Sequence, residues 1–353
     1  MKKRGYAMNT WNNKFESNDT KLNFTDVFIV PQASSLNSRK SVKIETTYTL
    51  SNSNVQWSGV PIIASNMDYI GTLEMSFALQ NFHIGTAVSK FTTTLEWEDY
   101  ISKGLNLDYA FPTFGLDNKQ YVLDYLSAIY ESSGLMPKII VLDVPNGYIN
   151  KFSELISDLR DSLPDTGIIA GNVVTPEGVE LLAQSGADGV KLGIGSGSVC
   201  TTSMETGVGY PQLSAILDCA QAALIHSTLL ISDGGISSTG DIAKAFIAGA
   251  HFIMIGGILA GHDEGGAPII SKEGVDYRLY YGMSSEQAMN THYEGIAEYR
   301  TTEGVSKLVK NKGPITSTIK QLLGGLRSSC TYVNAENVDQ LPTKGKFIKR
   351  LPY

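Results

Sequence analysis

The stretch "LLISDGGISSTGDIAKAFIAGAHFIMIGG" (229–257) contains two apolar runs, each closed by a glycine pair, with an amphipathic segment between them. The runs LLISDGG (229–235) and FIMIGG (252–257) are continuous rather than alternating, which suits strands buried on both faces of a parallel sheet. The intervening STGDIAKAFIAGA sets Ile242, Ala245 and Phe246 at helical spacing and ends near a glycine. This reads as strand, helix, parallel strand.

Working outward, the same kind of run recurs as VPIIAS (60–65), IGTAVS (84–89), LDYAFPTF (107–114), KIIVLDV (138–144), GIIAGNV (167–173) and GVKLGIG (189–195). With the first two, that makes eight. Strand and helix alternate at roughly 20–40 residues, as a (β/α)8 TIM barrel of about 250 residues requires. A doubly wound open sheet is the alternative. The strand count and the polar residues that follow the strands favour the barrel. Within TPEGVELLAQSGA, Thr175 is a candidate N-cap and Pro176 stands at the first helical position, while Gly178 replaces the acidic residue of a capping box. Residues 1–58 read as an N-terminal extension. Residues 258–312, between the eighth strand and the helical PITSTIKQLLGGLRSS, read as a flap inserted after that strand. The whole of 1–353 reads as one barrel domain.

Composition fits a soluble globular protein with a sizeable core: 353 residues, 42% hydrophobic and 18% charged, with 35 glycines that cluster at the ends of apolar runs. A net charge of −7 without a long basic cluster argues against nucleic acid as a partner. No apolar run is long enough to span a membrane, and the basic start lacks the apolar core of a secretory signal. The three cysteines, Cys200, Cys219 and Cys330, form neither a disulfide framework nor a zinc-like pattern with the five histidines. A reducing, cytoplasmic location is expected.

Barrel chemistry lies where strands end. Those positions are Asn66 and Asp68, Ser89 and Lys90, Asp143 and Asn146, Asn172, Gly195 to Cys200, Asp233, and Gly256 with Gly257. The glycines after strands seven and eight let backbone approach a phosphate. Close helix–strand packing would use glycine too. Cys219, in AILDCAQAAL, reads as core. Cys200 lies in SGSVCTT (196–202), a glycine- and hydroxyl-rich loop whose N–H groups can lower a thiol pKa. The residues alone leave Cys200 open between nucleophile and structural thiol.

GIGSGSVCTTSMETGVGYPQLSAI, ISDGGISSTGDIAKAFIAGAHFIMIGG, YYGMSSEQAM and GIAEYRTTEG together resemble the IMP dehydrogenase/GMP reductase family. The resemblance runs from LNFTDVFIVPQASSLNSR to LLGGLRSSCTYV. Within that family ETGVGYPQ, AEYRTTEG and GGLRSSCTYV are similar to the reductase branch, and the chain has no room for the regulatory (CBS) insert of the dehydrogenases.

The resemblance implies NADPH-dependent reductive deamination of GMP to IMP and ammonia, with Cys200 attacking purine C2 and Thr202 and Glu303 relaying a proton to the leaving amine. It implies a nucleotide site of Ser198, Asp233, Gly234, Gly235, Gly256, Gly257, Gly282, Met283, Ser284, Arg300, Thr301, Thr302 and Gly304. It implies a cofactor site of Lys90, Asp143, Val144, Pro145, Asn146, Ile194, Gly195, Met283, Tyr299 and Arg300, with Ser38 and Arg39 of a neighbouring subunit and Ser328, Ser329, Cys330 and Thr331 at the adenosine half. A potassium-like cation on Gly195, Gly197, Cys200 and Ser203 and a homotetramer are further implications. The chain departs from the family pattern at Ser196, where proline is usual before the cysteine loop, at Ser203, usually arginine, at Ser89-Lys90-Phe91, usually H-K-H, and at Pro145.

The competing readings are an IMP dehydrogenase without its regulatory domain, a reductase acting on a modified purine nucleotide, and a nucleotide-binding barrel without turnover. No G-x-G-x-x-G dinucleotide loop is evident.

Overall fold

The computed structural model describes residues 20–293, 295 and 301–350. Eight parallel strands, β1 (Gln56–Ala64), β2 (Ile84–Val88), β3 (Ala110–Phe114), β4 (Ile139–Asp143), β5 (Gly167–Val173), β6 (Gly189–Leu192), β7 (Leu229–Asp233) and β8 (Phe252–Ile255), follow one another around a sheet. The sheet closes where β8 pairs with β1, Ile253 opposite Ile62 and Ile255 opposite Ala64. The expected (β/α)8 barrel is therefore present. Helices α1 (Leu73–Leu79), α2 (Thr94–Ser102), α3 (Lys119–Ser133), α4 (Asn150–Ser162), α5 (Pro176–Gln184), α6 (Thr202–Thr206), α7 (Gln212–Ile225) and α8 (Thr239–Ala248) occupy the crossovers. Among the described residues no helix is long and apolar enough to cross a membrane.

The two apolar faces of each strand serve different cores. Ile63, Ala87, Phe111, Ile139, Val141, Ile169, Ile231, Phe252 and Met254 point into the barrel and pack with Leu50 and Trp57. The alternate residues, among them Ile62, Ile140, Leu142, Ile168, Val190 and Leu230, pack outward under the helices. The apolar runs are continuous because both faces are dry.

Local signals behave as the residue chemistry requires. Thr175 caps α5 by accepting from Gly178 N–H at 3.3 Å, with Pro176 at the first turn. The missing acidic residue at position 178 has a packing cause: a Cβ there would lie 2.7 Å from the Tyr148 ring and 2.7 Å from Val173 Cβ. Ser238 caps α8 in the same way, accepting from Asp241 N–H at 3.3 Å.

Before the barrel, strand Thr46–Thr49 pairs antiparallel with the start of β1. β1 thus begins four residues earlier than the apolar run alone predicts, because Trp57 turns inward to plug the barrel floor. Strand Val27–Ile29 pairs with Phe347–Lys349. After β8, strands β9 (Ile269–Lys272), β10 (Val275–Tyr281) and β11 (Ser306–Lys310) form a separate antiparallel sheet, with α9 (Glu286–His292) between the last two. Helix α10 (Thr316–Tyr332) then packs beside α8.

Candidate active site

A cavity of about 250 Å³ opens at the C-terminal ends of the strands. The loop after β6 forms one wall. Gly193 and Gly195 take positive φ, 154° and 80°, and Cys200 N–H closes the turn onto the Gly197 carbonyl at 3.1 Å. Ser196, at the usual proline position, donates its hydroxyl to the Asp233 carbonyl at 3.4 Å, so a hydrogen bond to β7 tethers the loop.

The segment preceding β11 is stitched to this loop. Thr201 N–H donates to Glu303 O at 2.9 Å, Val305 N–H to Val199 O at 3.0 Å, and Glu303 N–H to Ser284 O at 3.0 Å. These bonds set side chains in line: Cys200 Sγ lies 3.3 Å from Thr202 Oγ1, which donates to Glu303 Oε2 at 2.8 Å. A hydroxyl between a thiol and a carboxylate can pass a proton either way. Cys200 is half-buried at the cavity wall, whereas burial pushes the Cys219 and Cys330 thiols up to about 12. Neither of those forms thiolate at neutral pH.

Backbone dominates the β7 and β8 ends. Gly234 and Gly235 take φ of 96° and 74°. A Cβ on Gly257 would sit 2.9 Å from Ser198 Oγ and 3.6 Å from the Tyr280 hydroxyl, and one on Gly256 would sit 2.8 Å from Ser65 Oγ. The hollow framed by these hydroxyls and bare backbone suits a phosphate. Ser65 Oγ and Asn172 Oδ1, both at the cavity, are buried without a protein partner. Across the mouth, Asp143 ends β4, opposite β8 in an eight-stranded ring.

The floor is ionic. Lys191 of β6 is fully buried, contacts Asp143 Oδ1, and lies 3.0 Å from Asp233 Oδ2, which also accepts from Asn172 Nδ2 at 2.9 Å. Burial opposes charge on Asp143, yet the Lys191 ammonium, helped by Asn66 and Lys90, holds its carboxyl below the usual range. Burial likewise opposes the ammonium, but the two carboxylates hold its pKa above the ordinary lysine value.

Of the residues singled out from the sequence, Cys200, Thr202, Glu303, Ser198, Asp233, Gly234, Gly235, Gly256, Gly257, Gly282, Met283, Ser284, Asp143, Val144, Pro145, Ile194, Gly195 and Gly197 all line the cavity. Gly304 does not; it packs behind, where an added Cβ would lie 3.2 Å from Val199 O. Thr301 and Thr302 are in the same segment but outside the lining, as is Ser203, which packs under Gly195 and Gly209. Lys90 is exposed, and Asn146 spends its side-chain oxygen on Tyr148 N–H at 3.0 Å. Tyr299 and Arg300 lie outside the described residues.

Ser38 and Arg39 sit at a short turn packed on α10, whose last turns carry Ser328, Ser329 and Thr331 half-buried. None of these lines the cavity. The Cys330 side chain turns into the core with no exposure, so only its backbone is available to a ligand.

Residue reasoning missed Lys191, Tyr280 and Ser65. Lys191 was visible as the one charge inside the apolar run GVKLGIG. Phe91, at the usual histidine position, stacks on His292 of α9 with ring centres 3.5 Å apart, and His292 in turn reaches Asp68 Oδ2 at 2.5 Å. The departure at that position is therefore absorbed by a contact to α9.

A sequence model of the IMP dehydrogenase / GMP reductase domain matches residues 132–352. The chain belongs to the IMP dehydrogenase / GMP reductase family. It is 46% identical over 333 residues to GMP reductase 2 of Homo sapiens, covering 94% of this chain and 95% of that one. It is 45% identical over 338 residues to GMP reductase of Escherichia coli O81 (strain ED1a), with coverage of 94% and 95%. GMP reductase 2 of Mus musculus is 46% identical over 333 residues, with the same coverage. Membership in the IMP dehydrogenase / GMP reductase family makes the chain an enzyme and an oxidoreductase.

Proposed function

We propose that the chain is a GMP reductase, converting GMP to IMP and ammonia with NADPH. The observation that carries this reading is the line Cys200–Thr202–Glu303 at the wall of a cavity with a glycine-framed hollow at its β7–β8 side. The kinship with the human and bacterial enzymes supports it.

In this mechanism the phosphate rests on Gly234, Gly235, Gly256 and Gly257 with Ser198 and Tyr280, and the ribose hydroxyls donate to Asp233. Gly282, Met283, Ser284 and the 300–304 segment hold the base. The Cys200 thiolate adds to C2, forming the C–S bond. Glu303, through the Thr202 hydroxyl, hands a proton to the amino nitrogen, and the C–N bond breaks to release ammonia and leave a thioimidate. NADPH bound on the Asp143–Pro145 side would supply the hydride that C2 needs, and the C–S bond would then break with Cys200 leaving as thiolate.

The chain's residues fit the cofactor. The cavity continues past Cys200 to Ile194, Gly195 and Asp143–Pro145, and Asn172 Oδ1 has no protein partner there. Ser38, Arg39 and Ser328–Thr331 gather on the flank of the barrel, away from this cavity, which supports a neighbouring subunit supplying the adenosine half, in a tetramer. Gly195, Gly197 and Cys200 lie in one loop with Ser203 packed against Gly195, and their carbonyls are where a potassium-like cation would sit. Three free cysteines suit the cytoplasm. The chain would work as a single barrel with its flap and without a regulatory insert.

The test is a pair of assays, NADPH with GMP and NAD with IMP, each followed by absorbance and by ammonia. NADPH oxidation with IMP and ammonia formed is the expected result. NAD reduction with IMP would instead show a dehydrogenase. Binding of GMP with neither reaction would show a barrel without turnover, and a preference for another purine nucleotide over GMP would redefine the substrate.

A further inference from the structure

The inward-facing positions of β4, β5, β6, β7 and β8 end, at the cavity floor, in Asp143, Gly171, Lys191, Asp233 and Met254. One layer below, these strands supply only apolar side chains and glycine: Val141, Ile169, Gly189, Ile231 and Phe252. The barrel interior thus carries a lysine at its last layer, fully dry, while the two carboxylates it holds are 33% and 21% exposed to the cavity. Gly171 makes room for it: a Cβ there would lie 2.6 Å from Lys191 Cβ and 2.7 Å from its carbonyl oxygen. Met254 Sδ, 3.9 Å from the ammonium, is its further neighbour.

A buried ion pair adds little stability over an apolar residue of similar size. The surroundings here, with Ile231 and Met254 close by, would accept such a residue. The charge is therefore better explained by what the carboxylates do at their other, wet ends. One oxygen of Asp233 is committed to Lys191 and Asn172. That leaves the second oxygen for a ligand. Asp143, at the end of β4, is committed in the same manner through Oδ1.

We propose that Lys191 is a positioning residue that joins the nucleotide-side carboxylate Asp233 and the cofactor-side carboxylate Asp143 into one ionised unit, so that both ligands are bound by groups built on a single buried ammonium. The proposal rests on the reading of Asp233 and Asp143 given above. Both carboxylates touch one ammonium nitrogen, so without it they face each other directly. Two carboxylates in that arrangement titrate as a coupled pair, with one proton held to higher pH. Lys90 remains as a cation facing Asp143, and Tyr280 is the titratable group facing Asp233; neither lies between the two.

The experiment measures binding of GMP alone and of NADPH alone by calorimetry, from pH 5.5 to 8.5, in the full chain and in Lys191→Met. Unfolding temperature and the alkylation rate of Cys200 serve as controls. The expected result is that Lys191→Met weakens both ligands by about tenfold or more and adds a pH dependence to both affinities beyond the one that phosphate ionisation at about pH 6 gives the parent, with Cys200 alkylation unchanged. In Lys191→Ala, added ethylammonium restores part of both affinities and an equal concentration of tetramethylammonium does not.

Should the Lys191 variants not fold, Asp143→Asn decides. With Asp143 neutral, Lys191 is drawn wholly to Asp233, and GMP affinity falls by about threefold or more although residue 143 is on the cofactor side. Loss of affinity for one ligand only, no loss for either, or an unchanged GMP affinity in Asp143→Asn overturns the proposal. If the parent binds both ligands but fails to turn over GMP, the reductase reading falls while the binding test still judges Lys191. If it does not bind GMP, both fall.

Discussion

Cys200 and Cys219 are the same residue with different prospects. Cys219 sits in an apolar helix face, where burial raises its thiol to about 12. Cys200 stands at a cavity wall, one hydroxyl away from a carboxylate. Cys200→Ala should lower kcat by at least about 10³-fold while leaving the unfolding temperature and GMP affinity near the parent; retained turnover would remove the covalent route. Thr202→Val, which keeps shape and deletes the hydroxyl, should cost about 10²-fold in kcat with little change in GMP affinity. At Gly257 the constraint is steric: a methyl group would fill the hollow between Ser198 and Tyr280. Gly257→Ala should weaken GMP by about ten- to a hundredfold and leave guanosine, which lacks the phosphate, nearly unaffected. The places of Cys200, Asp233 and the glycine pairs were legible because each ends or follows a strand, where polar and flexible residues concentrate, although the residues alone left the role of Cys200 open. Lys191 stood in view as the one charge within the strand run GVKLGIG, but its role was not legible, because only the barrel shows which way it points and which two carboxylates receive it.

At the scale of elements, the continuous apolar runs located every barrel strand, Thr175 and Pro176 located the start of α5, and helical spacing with a glycine near the end located α8. Strand β1 was under-read at its start because Gln56–Gly59 alternates rather than running apolar, with Gln56 and Ser58 exposed and Trp57 facing inward, while its edge pairs with strand Thr46–Thr49. Strands β9–β11 were not resolved from the sequence: β9 and β11 have no buried residue to pattern them, and the buried positions of β10 include the charged Arg278 beside Tyr280 and Tyr281. Helix α5 shows how packing overrides a local rule. Gly178→Glu would complete a capping box with Thr175, yet its Cβ meets Tyr148 and Val173. The variant should therefore be less stable by about 1–3 kcal/mol, measurable as a lower urea midpoint; a gain in stability would show that the helix start can shift to accept it.

For the whole molecule, the barrel brings together residues that are far apart in sequence, Thr202 and Glu303 among them, and it sets the β4 and β8 ends on opposite sides of one mouth. It also keeps Ser38, Arg39 and the last turns of α10 off that mouth. If a neighbouring copy supplies these groups, mixing Arg39→Ala protomers with Cys200→Ala protomers under conditions that exchange subunits should regain activity that neither parent has at low NADPH. Absence of complementation would place the adenosine half within one chain. The stitching of the 303–305 segment to the cysteine loop carries one more consequence. The backbone of Glu303 holds Thr201 in place while its carboxylate holds the Thr202 hydroxyl. Wall and carboxylate are thus one piece, so displacing this segment would also part Glu303 from Thr202 and Cys200. Under the proposed mechanism, whatever loosens the wall also takes the acid away from the thiol, and the two cannot be tuned separately.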